Sequence, residues 1–196
     1  MKVKVKICGI RSLKAAQAAI DAGADFLGFN FVLSSQRYID PSKALEIIKL
    51  IRGKTRLVGV FQNADLKNVN VMAVNLGLDL VQLHGNEDNE YISKVTKPVI
   101  KSVSLSKQIQ RIKAAYFLLD RIKRSRGEMV NLKKAAQLAI NFPIFFAGGL
   151  NSDNVASIIA RVRPQAVDVA SGVETNGEQN LEKIRMFIRN AKGVKI

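Results

Sequence analysis

Four side chains in this sequence are of the types that move protons or grip anions, and each stands at the edge of an apolar run. Cys8, the only cysteine, closes Val3 to Cys8; Asp120 closes Tyr116-Phe-Leu-Leu119; His84, the only histidine, follows Gln82-Leu83; Arg37 lies in Ser34-Ser-Gln-Arg-Tyr38. Thiol, carboxyl and imidazole are the groups from which general acids and bases are built. Taken alone, a cysteine ending an apolar strand reads first as a small buried hydrophobe and only then as a thiolate. Asp120 is harder to set aside, because a carboxylate terminating a buried strand is costly unless something pairs or uses it. His84 reads equally as a satisfied structural imidazole or as part of a reactive ring. Two glycine clusters, Ala147-Gly148-Gly149-Leu150 and Ser171-Gly172-Val173, can bring bare backbone N–H groups to an anion, although either alone is an ordinary turn.

These residues need a scaffold that brings strand ends together. Short runs rich in Val, Ile, Leu and Phe alternate with segments of helical period, which argues for βα units and a parallel sheet. The expected strands are Val3–Cys8, Phe26–Phe31, Arg56–Phe61, Asp79–Leu83, Val99–Val103, Tyr116–Asp120, Ile144–Ala147 and Ala166–Ala170. Helices are expected over Ser12–Ala22, Pro41–Ile51, Asp65–Asn75, Asp88–Val95, weakly over Leu105–Ala115, then Asn131–Asn141, Ser152–Val162 and Asn180–Asn190, with polar caps such as Ser12, Asp40-Pro41 and Asn151-Ser152. Eight such units in 196 residues leave roughly 24 residues each, compact but sufficient for a single α/β domain over residues 1–196, a (β/α)8 TIM barrel. An open doubly wound sheet of five or six strands is the rival, and it leaves two units without a place. In the barrel, active-site residues sit at the C-terminal ends of strands and phosphate is held after strands seven and eight, where the two glycine clusters fall. Cys8, Arg37, His84 and Asp120 then ring one mouth. Closure also sets strand eight beside strand one, whose alternation puts Lys4, Lys6 and Cys8 on one face; Asp168 is expected to pair with Lys4 or Lys6, since a lone buried ammonium is prohibitive.

Composition narrows the partners. Apolar content of 47% excludes a disordered chain, and the longest apolar stretches, Ala114–Leu119 and Phe142–Ala147, fall far short of the roughly 18 residues a membrane span needs. The N-terminus alternates charged and apolar residues without a hydrophobic core segment, so no signal peptide is expected, and a single cysteine cannot form an internal disulfide, which points to the cytoplasm. The net charge of +15 makes nucleic acid or an anionic metabolite the first partners to weigh. The basic residues are spread along the chain, densest in Arg121-Ile-Lys-Arg-Ser-Arg126, and no Cys/His zinc pattern accompanies them. No metal is expected.

The motifs Lys6-Ile-Cys-Gly-Ile10, Gly28-Phe-Asn-Phe31 with Ser34–Ile39, Val58-Gly-Val-Phe61, Gln82-Leu-His-Gly85, Leu119-Asp120, Ala147-Gly-Gly-Leu150 with Asn154-Val155, and Asp168–Glu174 occur in one order from end to end. In these the chain resembles the phosphoribosylanthranilate isomerase family of tryptophan biosynthesis. The resemblance implies an Amadori rearrangement of N-(5-phospho-β-D-ribosyl)anthranilate to 1-(2-carboxyphenylamino)-1-deoxy-D-ribulose 5-phosphate, with no cofactor. It further implies Asp120 as general acid on the furanose ring oxygen, Cys8 as general base at C2 and Arg37 as holder of the anthranilate carboxylate. Backbone around Gly148, Gly149, Ser171 and Gly172 would hold the phosphate, with His84 at the substrate. The expected partner is a small phosphorylated substrate, with neither membrane nor nucleic acid.

Two departures accompany the likeness. Where family members carry a loop of the Gly-Gly-Thr-Gly type after the aspartate, this chain reads Arg121-Ile-Lys-Arg-Ser-Arg-Gly127-Glu-Met129, and Ser35-Gln36 stands where proline often precedes the arginine. Arg124 and Arg126 are candidates to replace lost backbone contacts with charge. Alternatives in view are a related isomerase of histidine biosynthesis or indole-glycerol-phosphate synthase, and a basic nucleic-acid-binding protein on the same scaffold. The set Cys8, Arg37 and Asp120 separates the first two from the leading reading; the salt dependence of binding separates the last.

Overall fold

Eight parallel strands, β1 (Lys4–Cys8), β2 (Phe26–Asn30), β3 (Arg56–Phe61), β4 (Leu80–Leu83), β5 (Val99–Val103), β6 (Tyr116–Asp120), β7 (Ile144–Ala147) and β8 (Ala166–Val169), pair in sequence order. Pairing of β8 with β1 closes them into a barrel. The structure is a computed structural model and describes residues 2–103, 109–120 and 131–194. The rewritten loop Arg121–Met129, with Arg124 and Arg126, lies outside the described residues. The open-sheet alternative fails on closure, since it has no β8–β1 ladder.

Alternation along the strands sorts the core into two layers. Phe26, Val58, Leu80, Ile100, Leu118, Phe145 and Ala166 fill the barrel itself, and the aromatic rings of Phe26 and Phe145 meet at 5.2 Å. Their strand neighbours Leu27, Leu57, Val81, Val99, Phe117 and Ile144 face outward into a larger cluster with the helices. Burial on both faces explains why these strands read as continuous apolar runs and not as alternating ones.

The helices are α1 (Leu13–Asp21), α2 (Pro41–Ile51), α3 (Leu66–Asn75), α4 (Asn89–Ser93), α5 (Leu132–Asn141), α6 (Val155–Val162) and α7 (Leu181–Lys192). Ser12 accepts from Ala15 N and Asp40 from Ser42 N ahead of Pro41, as their types foretell. Asn151 instead accepts from Asp153 N and Asn154 N, so it closes a turn and α6 begins at Val155, three residues later than the expected start at Ser152. The expected helix Leu105–Ala115 is corrected where it is described: only the 3-10 turn Ile109–Arg111 forms between β5 and β6. Only Ile109 there is buried, too little apolar surface to dock a full helix, and Asn89 on α4 holds the segment through Arg111 O and Lys113 N.

One buried pair stabilises the loops at the mouth from outside the barrel. Lys101 on β5 faces away from Ile100 and donates to Glu87 Oε2 at 2.6 Å and to Gly85 O at 2.7 Å, while Glu87 Oε1 accepts from Asn63 N at 2.7 Å. Both side chains are 2% exposed. Burial alone would push the Glu87 carboxyl up, but the bonds from Lys101, Asn63 and its own backbone carry it below its ordinary value of 4.5. A carboxylate whose folded pKa is depressed stabilises the fold fully above its unfolded value and loses that contribution as pH falls through the folded one. Lys101→Met is expected to cost about 3–5 kcal/mol in denaturant melts near neutral pH, because it strands a buried carboxylate. It should also remove part of the stability loss seen on acidification below about 4.5. A variant as stable as wild type would contradict this role.

Candidate active site

The C-terminal mouth opens into a cavity of about 500 Å³ lined, among the described residues, from β1, β2, β3, β4, β6, β7 and β8 or the loops that follow them. Cys8 contributes from β1, Arg37 from the loop after β2, His84 from the residue after β4 and Asp120 from the end of β6. Gly148 and Gly149 enter from the loop after β7 and Ser171 from that after β8. The sequence-expected residues therefore converge, with one exception. Gly172 stands behind Ser171 in the turn Ser171–Val173, where a Cβ would run into the Leu150 carbonyl, so its lack of a side chain serves the packing of the two loops against each other.

Asp120 is exposed although Phe117, Leu118 and Leu119 before it are buried: the strand delivers its last side chain out of the core and into the cavity. Gly148 and Gly149 have φ of +86° and +64°, two successive left-handed residues that only glycine adopts without strain. Asn154 Nδ2 donates to Gly149 O at 2.8 Å and fixes that turn at the entrance to α6.

Cys8 sits within a charged set that the barrel interior shares. Lys6 and Asp168 are directly opposed across the β1–β8 ladder, and Lys6 Nζ donates to Asp168 Oδ1 at 2.9 Å with the lysine fully buried. Lys4, half-buried opposite Ala166, is not the partner. A Cβ at Gly28 on β2 would lie 2.8 Å from Cys8 Sγ and 3.1 Å from Lys6 Nζ, so this glycine leaves the gap in which thiol and ammonium meet. Burial pushes the Cys8 thiol above its ordinary value; Lys6 pulls it down, Asp168 pushes it up and Arg37 pulls it down. The Lys6 ammonium, disfavoured by burial, is held charged by Asp168 and then by Cys8. His84 is pushed down by burial and by Lys6, which keeps its imidazole neutral.

Three participants escaped sequence reasoning. Gln82, two residues before His84 and so on the same face of β4, is buried, with its Nε2 2.5 Å from His84 Nε2 and its Oε1 without a partner among the described residues. The spacing to His84 was the available signal. Glu174 grips Arg37 from 137 positions away, and Lys101 holds the loop behind Gly85; no local pattern marks either. Among the described residues, no group of three or more His, Cys, Asp or Glu is placed to hold a metal ion.

Fold and site together define a class: a (β/α)8-barrel enzyme with a thiol, a carboxyl and a guanidinium around one cavity at its C-terminal mouth. A family model described as N-(5'phosphoribosyl)anthranilate (PRA) isomerase matches residues 5–190. N-(5'-phosphoribosyl)anthranilate isomerase from Streptococcus mutans is 39% identical over 191 residues, covering 96% of this chain and 98% of that protein. The phosphoribosyl anthranilate isomerase structure from Thermotoga maritima superposes with a TM-score of 0.89 at 37% identity, covering 98% of this chain and all of that one. A further structure of such an isomerase, in complex with reduced 1-(o-carboxyphenylamino)-1-deoxyribulose 5-phosphate, has a TM-score of 0.86 at 37% identity and the same coverage. The chain belongs to the N-(5'-phosphoribosyl)anthranilate isomerase family.

Proposed function

We propose that this protein catalyses the Amadori rearrangement of N-(5-phospho-β-D-ribosyl)anthranilate to 1-(2-carboxyphenylamino)-1-deoxy-D-ribulose 5-phosphate, the isomerase step of tryptophan biosynthesis. The observation that carries the mechanism is the placement of Cys8 and Asp120 in one cavity, three strands apart round the barrel. Asp120 gives its proton to the furanose ring oxygen while the C1–O bond breaks and the amine lone pair forms a protonated Schiff base. The Cys8 thiolate takes the C2 proton; the C–H electrons form a C1–C2 double bond and return the C1–N electrons to nitrogen. The resulting enolamine tautomerises to the ketone. An acid and a base coexist in one cavity only if their surroundings differ. Here the Lys6 ammonium beside the thiol favours the thiolate, and the carboxyl stands exposed at the mouth, where water can return the proton it gives up. The cationic Schiff base adds positive charge at the moment Cys8 must be ionised, which eases deprotonation of a thiol that burial holds protonated.

The backbone of Gly148, Gly149, Ser171 and Gly172 would take the phosphate, Arg37 the anthranilate carboxylate, and neutral His84 with Gln82 the sugar hydroxyls. On this reading the partner is a small phosphorylated metabolite, with no nucleic acid, membrane, metal or cofactor, in a reducing cytoplasm that keeps Cys8 a thiol. Expression in a bacterial strain that lacks this isomerase should restore growth without tryptophan. Failure of a folded, expressed chain to do so would contradict the proposal.

A further inference from the structure

We infer that Glu174, on a hairpin after β8, sets the preference for a carboxylated aryl amine by holding Arg37 so that one edge of its guanidinium is presented to the substrate carboxylate. The inference deepens the reading of Arg37 as carboxylate holder and rests on it. Strands β9 (Glu174–Thr175) and β10 (Glu178–Gln179) form a two-stranded antiparallel hairpin. From it Glu174 accepts from Arg37 Nε and Nη2, both at 2.7 Å, a bidentate side-on pair with the carboxylate 8% exposed. That engagement uses one long edge of the guanidinium. The end-on edge, Nη1 with the second Nη2 hydrogen, has no acceptor among the described residues, and Arg37 lines the cavity while Glu174 does not. A planar carboxylate fits such an edge with two parallel bonds. Glu174 is thus a positioning residue: it acts through Arg37.

The arginine is fixed from two further sides. Its stem lies on Gly9, whose φ is +79° and where a Cβ would come 2.7 Å from Arg37 Cδ. The hairpin is moored by Arg11, which donates to Gly177 O at 2.5 Å and to Gln36 O at 3.1 Å, and whose backbone N–H reaches Gln179 Oε1 at 3.3 Å. One arginine therefore ties the hairpin to the same loop that carries Arg37. A guanidinium restrained on its stem and on one edge loses little freedom on binding, whereas a free arginine must be ordered by the substrate. Glu174 also repels misplaced ligands: a carboxylate approaching the side-on edge meets another carboxylate.

The test uses two aminosides made from ribose 5-phosphate, one with anthranilate and one with aniline. The intact enzyme should prefer the carboxylated substrate in kcat/KM, and Arg37→Ala should abolish the preference. Glu174→Ala should reduce it at least about tenfold, through a higher KM for the anthranilate compound, while kcat/KM for the aniline compound stays within about twofold. Glu174→Gln, equal in shape and left with one acceptor oxygen, should fall between and carries the test should the alanine variant not fold. If the Glu174 variants lose both substrates equally, or keep the full preference while Arg37→Ala abolishes it, Glu174 is structural and the inference is overturned. If Arg37→Ala keeps the preference, the carboxylate lies elsewhere and the inference falls together with that reading.

Discussion

Cys8→Ala lowers turnover by roughly two to four orders of magnitude, the range for loss of a positioned general base, while the barrel stays folded. The residue is small and sits at the end of β1, and the Lys6–Asp168 pair that surrounds it survives the change. Cys8→Ser should be nearly as damaged, since a hydroxyl cannot ionise where a buried thiol already resists doing so. Proton loss at C2 in the wild-type enzyme, followed apart from ring opening, should quicken with pH from neutrality upward, as the thiolate fraction of a group held above its ordinary value of 9.0 increases. The residual rate of Cys8→Ala should lack that rise. Steady-state kinetics across pH, with circular dichroism as the check on fold, decide it; a rate near wild type removes Cys8 from the mechanism.

Asp120→Asn is expected to cost a comparable two to four orders, for the opposite reason: an amide of the same shape cannot deliver a proton to the ring oxygen. The two variants should stop at different stages. Cys8→Ala still opens the ring, so its Schiff base should be trapped by cyanoborohydride as the reduced open-chain amine; Asp120→Asn should yield trapped material no faster than the uncatalysed reaction. Equal trapping in both would mean that the acid and base roles are not divided between these residues.

How much of this was legible follows from what each residue depends on. Period-two alternation along Lys4-Val-Lys-Ile-Cys8, combined with the rule that a closed barrel sets its last strand beside its first, was enough to place Asp168 against a lysine. Strand ends were equally readable, because Cys8 and Asp120 terminate apolar runs that the core requires. Glu174 was not readable, since its hairpin strands are two residues each, too short to show a period, and Arg37 lies 137 positions away. Lys101 was hidden differently: it lies in a buried strand and faces the outer layer, where sequence gives no sign that Glu87 awaits it. The link between β5 and β6 misled because Ile109 and Ile112 carry a helical spacing that spans barely one turn.

On the proposed mechanism this cavity converts an aminoside to a ketose by proton transfer. Purified protein mixed with N-(5-phosphoribosyl)anthranilate, freshly prepared with carbon-13 at C2 of the sugar, tests it in one sample. Substrate fluorescence should fall at a rate proportional to protein concentration, and the labelled carbon should appear as a ketone resonance. Decay at a rate independent of the protein, with the label recovered only in ribose 5-phosphate from hydrolysis, would contradict it.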